Sequence, residues 1–328
     1  MTEPMLTYLL FGAGLLLLVV GASLLVDGAA SIARRLRVPD ILIGLTVVAI
    51  GTSMPELFVN LLAIYRNTPD LAIGNVIGSN ISNILLILGL TAMISPIRVS
   101  RDTVWKQVPF SLLAALALLV LANDRLLDNA PASLLGRGDG LLLLLFLVIF
   151  LYYLGAAAQR ERASHQGSEK LPDRGVGLGL LLVLLGLAGL VFGSGWVVDG
   201  AVLFATVLGM DEKTIGLTIV AVGTSLPELV TALVAAFKHK VDMAVGNVIG
   251  SNILNVFMIL GIGATVSPLP FRPDMNLDML VMTGASLFVF LFMFTGGRSI
   301  LDRWEGVALL LSYVVYVGYL VLQTGTLL

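Results

Sequence analysis

The chain of 328 residues contains no cysteine, only two histidines (His165 and His239), and just 12% charged residues. The missing cysteine removes disulfides, thiolate metal sites and cysteine nucleophiles together, and says nothing about redox compartment. Both histidines fall in hydrophilic loops, so a zinc or copper centre has little support. A soluble domain is about a quarter charged, which argues against an ordinary globular enzyme. Nor is there a basic excess to invite nucleic acid, since 19 Lys+Arg stand against 21 Asp+Glu. HExxH, a GxSxG elbow and a midmembrane histidine with a serine or aspartate partner are all absent, so an intramembrane enzyme is not expected. The alternating ten-residue segments of a membrane barrel are absent too.

What is present is apolar. Hydrophobic residues make up 58% of the chain, the mean hydropathy is +1.00, and runs of about 20 apolar residues recur as bilayer-spanning helices require. The pattern predicts an all-α membrane protein of ten transmembrane helices, at 6–26, 39–65, 71–95, 105–123, 139–157, 176–198, 211–237, 242–266, 277–295 and 304–325. The first run begins near Leu6 with only Glu3 before it. A cleaved signal would have a positive leader, so this run is read as a mature helix.

Internal similarity decides the architecture. Residues 41–96 align without a gap to 213–268, offset by 172, with 31 identities in 56 positions. IGLTVVAIGTSMPEL returns as IGLTIVAVGTSLPEL, DLAIGNVIGSNISNILLILG as DMAVGNVIGSNILNVFMILG, and Val26-Asp27-Gly28-Ala29 as Val198-Asp199-Gly200-Ala201. Five spans per copy is an odd number, so the second copy must enter from the opposite side. The expected organisation is a first five-helix repeat over 1–158, a cytoplasmic connector over 159–175, and a second, inverted repeat over 176–328. Inverted repeats with interrupted helices are a recurring plan of secondary transporters. With the N-terminus outside, the inside loops hold 14 of the 19 Lys and Arg residues. That bias fits the positive-inside rule and predicts a multi-pass cell-membrane protein (inner membrane, if bacterial) with both termini outside.

Ionisable residues within a span are functional candidates by default. Glu56 and Glu228 stand at equivalent places, in Gly51-Thr52-Ser53-Met54-Pro55-Glu56 and Gly223-Thr224-Ser225-Leu226-Pro227-Glu228. Pro55 and Pro227 each lack an N–H and clash with the carbonyl four residues back, which frees backbone oxygens there. A bound cation satisfies such oxygens well. Thr52 and Ser53 share a helix face with Glu56, as Thr224 and Ser225 do with Glu228. In the second motif, Asn75, Ser79 and Asn83 step by four into a polar stripe, and Asn247, Ser251 and Asn255 form its twin. The stripes are read as further ligands. Gly74 with Gly78, and Gly246 with Gly250, are read as close-packing positions. Carboxylates, amides, hydroxyls and backbone carbonyls are the oxygen set of calcium, and sodium takes similar donors. Two carboxylates carry a charge of −2, which one divalent or two monovalent cations neutralise. Asp70 and Asp242, just before helices, are expected to cap them or to favour the helix dipole. Asp27 and Asp199 recur near predicted helix ends with no assigned role. Asn80-Ile81-Ser82 matches a glycosylation pattern but lies within a span and is set aside.

These paired GTS-x-PE and GN-x-x-GSN-x-x-N motifs resemble the alpha repeats of the cation/calcium exchanger superfamily, the sodium/calcium exchangers, and most closely its short prokaryotic members. The resemblance covers both repeats and the ten-helix layout. It implies alternating access with sodium and calcium competing for a central diamond of sites. Glu56 and Glu228 would bridge several ions, with Thr52, Ser53, Thr224 and Ser225 adding oxygens and Ala49 and Ala221 adding backbone carbonyls. Ser79 and Ser251 would complete outer monovalent sites, and Asn83 and Asn255 would line the middle. The helices at 6–26 and 176–198 would be the long tilted pair that slides over the core. Many members carry aspartate where this chain has Asn255, so the pocket here is one negative charge poorer and the three-sodium-for-one-calcium ratio is put in doubt. A proton on either glutamate can then stand in for a sodium ion. No cofactor is expected, the bound ions being transported calcium and sodium. The expected partners are those ions and the lipid bilayer, with no protein partner evident. A proton-coupled calcium or other cation exchanger on the same fold is the alternative. A channel is disfavoured because its filter usually comes from symmetric subunits.

Overall fold

Inside a bilayer every backbone N–H and C=O must be satisfied within the protein, and this chain meets that demand almost wholly as helix. The computed structural model describes residues 3–98, 100, 103–164, 176–207, 221–295 and 300–325. Its helices are α1 (Glu3–Leu36), α2 (Asp40–Thr52), α3 (Met54–Tyr65), α4 (Pro69–Ile94), α5 (Thr103–Leu121) and α6 (Arg137–Ser164). The second half supplies α7 (Val176–Val207), α8 (Ala221–Thr224), α9 (Leu226–Phe237), α10 (Val241–Val266), α11 (Pro273–Phe292) and α12 (Arg303–Gly325). Among the described residues eight helices are long and apolar enough to cross a membrane, or nine when the bent pair α2–α3 counts as one span. The expected ten therefore have no full counterpart among them. The span expected at 211–237 is described only from 221 onward, and the connector only up to Ser164, which ends α6; His165 and the rest of the connector lie outside the described residues.

Two helices run well past the expected ends. α1 has 34 residues and α7 has 32, about 50 Å each at 1.5 Å per residue. A hydrocarbon core is about 30 Å thick, so helices of this length tilt or project from it. An apolar count of about 20 marks where lipid ends, whereas the helix continues until its backbone bonds stop. Asp27 and Asp199 consequently sit inside α1 and α7 rather than near their ends.

Glycines spaced by seven weld these two helices together. A Cβ on Gly14 would lie 2.9 Å from the carbonyl oxygen of Gly193, one on Gly21 2.9 Å from that of Gly186, and one on Gly28 2.7 Å from that of Gly179. The rising numbers on α1 meet falling numbers on α7, so the pair is antiparallel and its backbones are nearly in contact. Gly21→Leu should push the pair apart at a cost of roughly 1–3 kcal/mol or more. It is expected to melt several degrees below the parent protein in detergent, with Gly12→Leu, where an added Cβ meets nothing within 4 Å, as the control. Equal melting of both variants would remove the ladder's structural role.

The paired α1 and α7 lie against a core formed by α2, α3, α4, α9 and α10. α4 and α10 are the most deeply enclosed helices, and each contains a π-helical stretch, Ser82–Leu88 and Asn255–Leu260. Such bulges recur at functional sites. Two short antiparallel strand pairs tie distant parts of the chain: β1 (Ile97–Arg98) with β4 (Ile300–Leu301), and β2 (Ser133–Leu135) with β3 (Leu269–Phe271).

Candidate cation site

The site begins at two breaks in the helices. α2 and α3 meet at a bend of 44°. Between them Ser53 adopts φ −83°, ψ 6°, and Ser225 adopts φ −89°, ψ 6° between α8 and α9. This is the sparsely populated bridge region. Pro55 and Pro227 lie in the first turn of the helix that follows, where a missing N–H is harmless. The sequence located each break through its proline, but the turn itself is made by the serine two residues earlier. Ala49 and Ala221 open the helical turns that lead into the two breaks. The Ala49 carbonyl accepts the Ser53 N–H at 3.0 Å.

Those breaks aim two carboxylates into the core. Glu56 and Glu228 are each only 1% exposed. Ser53 donates to Glu228 Oε1 at 3.0 Å and lies 2.9 Å from Ser251 Oγ, which is itself 3.4 Å from the same carboxylate oxygen. Reciprocally, Ser225 donates to Glu56 Oε1 at 3.4 Å and lies 3.2 Å from Ser79 Oγ. Each half of the chain thus holds the other half's glutamate. Thr52 Oγ1 reaches Asn247 Oδ1 at 3.0 Å, and Thr224 Oγ1 reaches Asn75 Oδ1 at 3.4 Å.

Four asparagines complete the site, two of which the sequence reading left out of it. Asn83 donates through Nδ2 to Asn252 Oδ1 at 3.0 Å, and Asn255 donates to Asn80 Oδ1 at 3.0 Å. Asn80 and Asn252 donate in turn to each other's backbone carbonyls, at 3.3 and 3.5 Å. Both are buried. Their signal in the sequence was identity at equivalent positions, each directly after the motif serine.

The amide nitrogens of Asn83 and Asn255 are thereby spent, and their oxygens are left over. Asn83 Oδ1, Asn255 Oδ1, Glu56 Oε2 and Glu228 Oε2 are all buried without a hydrogen-bond donor. A buried acceptor with no partner costs about 1–3 kcal/mol, and more when charged. Four of one kind, two from carboxyl groups and two from amides, suit a hard cation held by oxygens. Among the described residues no group of three or more His, Asp or Glu side chains is placed to hold a metal, so these two glutamates stand without a third acid.

The twin positions differ in exposure. Thr52 and Asn247 are buried, whereas Thr224 and Asn75 are partly exposed. A Cβ on Gly246 would lie 2.5 Å from the Ile41 carbonyl, and one on Gly250 2.8 Å from the Ala49 Cβ. At Gly74 and Gly78 it would meet nothing within 4 Å. Close packing is therefore realised at one glycine pair and not at the other. Capping by Asp70 and Asp242 is not realised either. Both occupy the first turn, favourable for the helix dipole, but Thr68 and Lys240 are the N-cap residues and neither helix has a side-chain cap bond. Asp70 instead pairs with Arg272 at 3.4 Å.

The chain is similar to known proteins over most of its length. The model of the family described as "Sodium/calcium exchanger protein" matches residues 6–156 and 178–322. The "Putative antiporter CaxA" of Alkalimonas amylolytica is 38% identical over 306 residues, 92% of this chain and 95% of that one. The "Sodium/calcium exchanger MaX1" of Methanosarcina acetivorans is 35% identical over 342 residues, covering 94% and 97% respectively. Among solved structures, the sodium-calcium exchanger NCX_Mj superposes with a TM-score of 0.82 at 36% identity, over 96% of this chain and 99% of that one.

Proposed function

The chain belongs to the sodium/calcium exchanger family, and from that premise we propose that it exchanges sodium for calcium by alternating access through the Glu56–Glu228 site. The observation that carries this reading is the set of four donorless buried oxygens on Glu56, Glu228, Asn83 and Asn255. Calcium takes six to eight oxygens; Ser53, Ser225 and Ser251 already touch the two carboxylates and Ser79 touches Ser225, and on this reading Thr52, Thr224 and the backbone at Ala49 and Ala221 supply further oxygens. A charge of −2 is neutralised by one calcium or by two sodium ions, so the same oxygens serve one or the other in turn. Competition for one pocket makes transport an exchange rather than a leak.

The two halves of the chain form inverted five-helix repeats on this reading. The glycine and threonine asymmetry then reports a conformational state: the cleft beside Gly74, Asn75 and Thr224 is open and its twin beside Gly246, Asn247 and Thr52 is closed. With positive loops inside, the open cleft faces outward.

Proteoliposomes loaded with sodium are expected to take up radiolabelled calcium at a rate that falls at least tenfold when the sodium is replaced by potassium. Uptake driven by a pH gradient and indifferent to sodium would replace sodium coupling with proton coupling on the same site. Calcium flux that needs neither gradient would end the exchange reading.

A further inference from the structure

Asp27 and Asp199 are twins at the offset of 172, each on one of the two long helices, and the site uses neither. Their surroundings differ. Asp27 pairs with Lys238 at 2.7 Å, and Lys238 also donates to the Ser23 hydroxyl at 2.7 Å and the Ser23 carbonyl at 3.1 Å. Lys238 caps the C-terminus of α9 in the core, so this contact joins α1 to the core. The twin of Lys238 is Arg66, which caps the C-terminus of α3. Among the described residues Arg66 and Asp199 are both exposed and neither has an ion pair.

We infer that Asp27–Lys238 and Asp199–Arg66 are two alternating ion-pair latches, the first closed in the state seen here and the second closed in the opposite state. The inference rests on the alternating-access reading above. A second set of contacts supports it. A Cβ on Gly51 would lie 2.5 Å from Leu187 of α7, and one on Gly223 2.3 Å from Val198 of α7. The twins of Leu187 and Val198 are Leu15 and Val26 of α1. Exchanging the roles of the halves therefore moves Gly51 onto Val26 and Gly223 onto Leu15. Along the glycine ladder Gly21 is opposite Gly186, which sets Leu187 level with residue 20 of α1. Val26 is six residues further along, so the α1–α7 pair shifts by about 9 Å at 1.5 Å per residue. That shift carries Asp27 away from Lys238 and Asp199 toward Arg66.

The latches are not equal, because the twin of Ser23 is Gly195 and offers no hydroxyl. Closing the Asp27–Lys238 latch is thus the more favourable of the two, and the bias is toward the state seen here. Lys240 with Asp40, 2.8 Å apart, joins two core helices and does not switch.

The natural absence of cysteine permits a direct test in nanodiscs, where reagents reach both faces. A single Gly74→Cys reporter in the open cleft is labelled with a maleimide, with and without calcium or sodium. Surface ion pairs bias an equilibrium by up to about fivefold. Lys238→Met is expected to slow labelling by about two- to fivefold, and Arg66→Met to leave it unchanged or speed it. The exchanged pair Asp27→Lys with Lys238→Asp is expected to restore the parent rate. Slowing by Lys238→Met without slowing by Arg66→Met, reversed by the charge exchange, is not what a merely structural role produces. A reporter that responds to the ions while Lys238→Met leaves labelling unchanged, or Arg66→Met slows it equally, overturns the latches alone. A reporter indifferent to ions and to variants overturns alternating access and the latches with it.

Discussion

Sodium-dependent calcium uptake is expected to fall by roughly 30- to 5,000-fold in both Glu56→Gln and Glu228→Gln, from the roughly 2–5 kcal/mol lost when one member of a buried charge pair is neutralised. Glutamine keeps the volume and can still accept from Ser225 or Ser53, which hold the Oε1 oxygens at 3.4 and 3.0 Å. The fold should therefore survive, and the parent elution profile and melting temperature are the controls. What disappears is the charge on the second carboxylate oxygen, which has no donor in either residue. Because each glutamate accepts from the break serine of the opposite half, the two variants should be nearly equivalent. A variant that retains uptake within twofold of the parent would remove that glutamate from the site. Loss of uptake with loss of fold would instead assign it a structural role.

Gly78→Leu and Gly250→Leu are expected to have opposite phenotypes although the two glycines are twins. At Gly250 a Cβ would already lie 2.8 Å from the Ala49 Cβ and 2.9 Å from the Leu45 backbone. A leucine there overpacks that contact by roughly 1–3 kcal/mol or more, so Gly250→Leu should lower the melting temperature. At Gly78 a Cβ meets nothing within 4 Å, so Gly78→Leu should fold normally and bind calcium. It should nevertheless exchange at least tenfold more slowly, because the opposite state closes the cleft over that position. Calcium-dependent protection against thermal unfolding reads binding, and radiolabelled uptake reads exchange. Matching behaviour of the two variants in both measurements would show that the asymmetry is not a transport state.

The membrane class, the repeated halves and both glutamates were legible without coordinates, and for clear reasons. Lipid forbids unsatisfied backbone, so spans must be long apolar runs. Buried charge is expensive, so a carboxylate inside such a run announces itself. The duplication then doubled the signal of Thr52, Ser53, Ser79 and Asn83 in Thr224, Ser225, Ser251 and Asn255. Asn80 and Asn252 carried the same doubling, yet a helical stripe at steps of four passes over them. Their role depends on amide hydrogen bonds between α4 and α10, and no spacing within one helix encodes a contact between two.

What the sequence by itself determined is therefore chemistry and symmetry: which residue types lie in the membrane and that each has a twin. Only the tertiary structure decided how the twins differ. Identical motifs cannot say which cleft is open, since the same residues build both. That choice lies in the register of α1 and α7 against the core, which closes Gly246 and Gly250 while leaving Gly74 and Gly78 open. It also pairs Asp27 with Lys238 and leaves Asp199 and Arg66 apart. Register is a property of packed surfaces, so no spacing within one helix encodes it; on the alternating-access proposal the same sequence must be compatible with two registers.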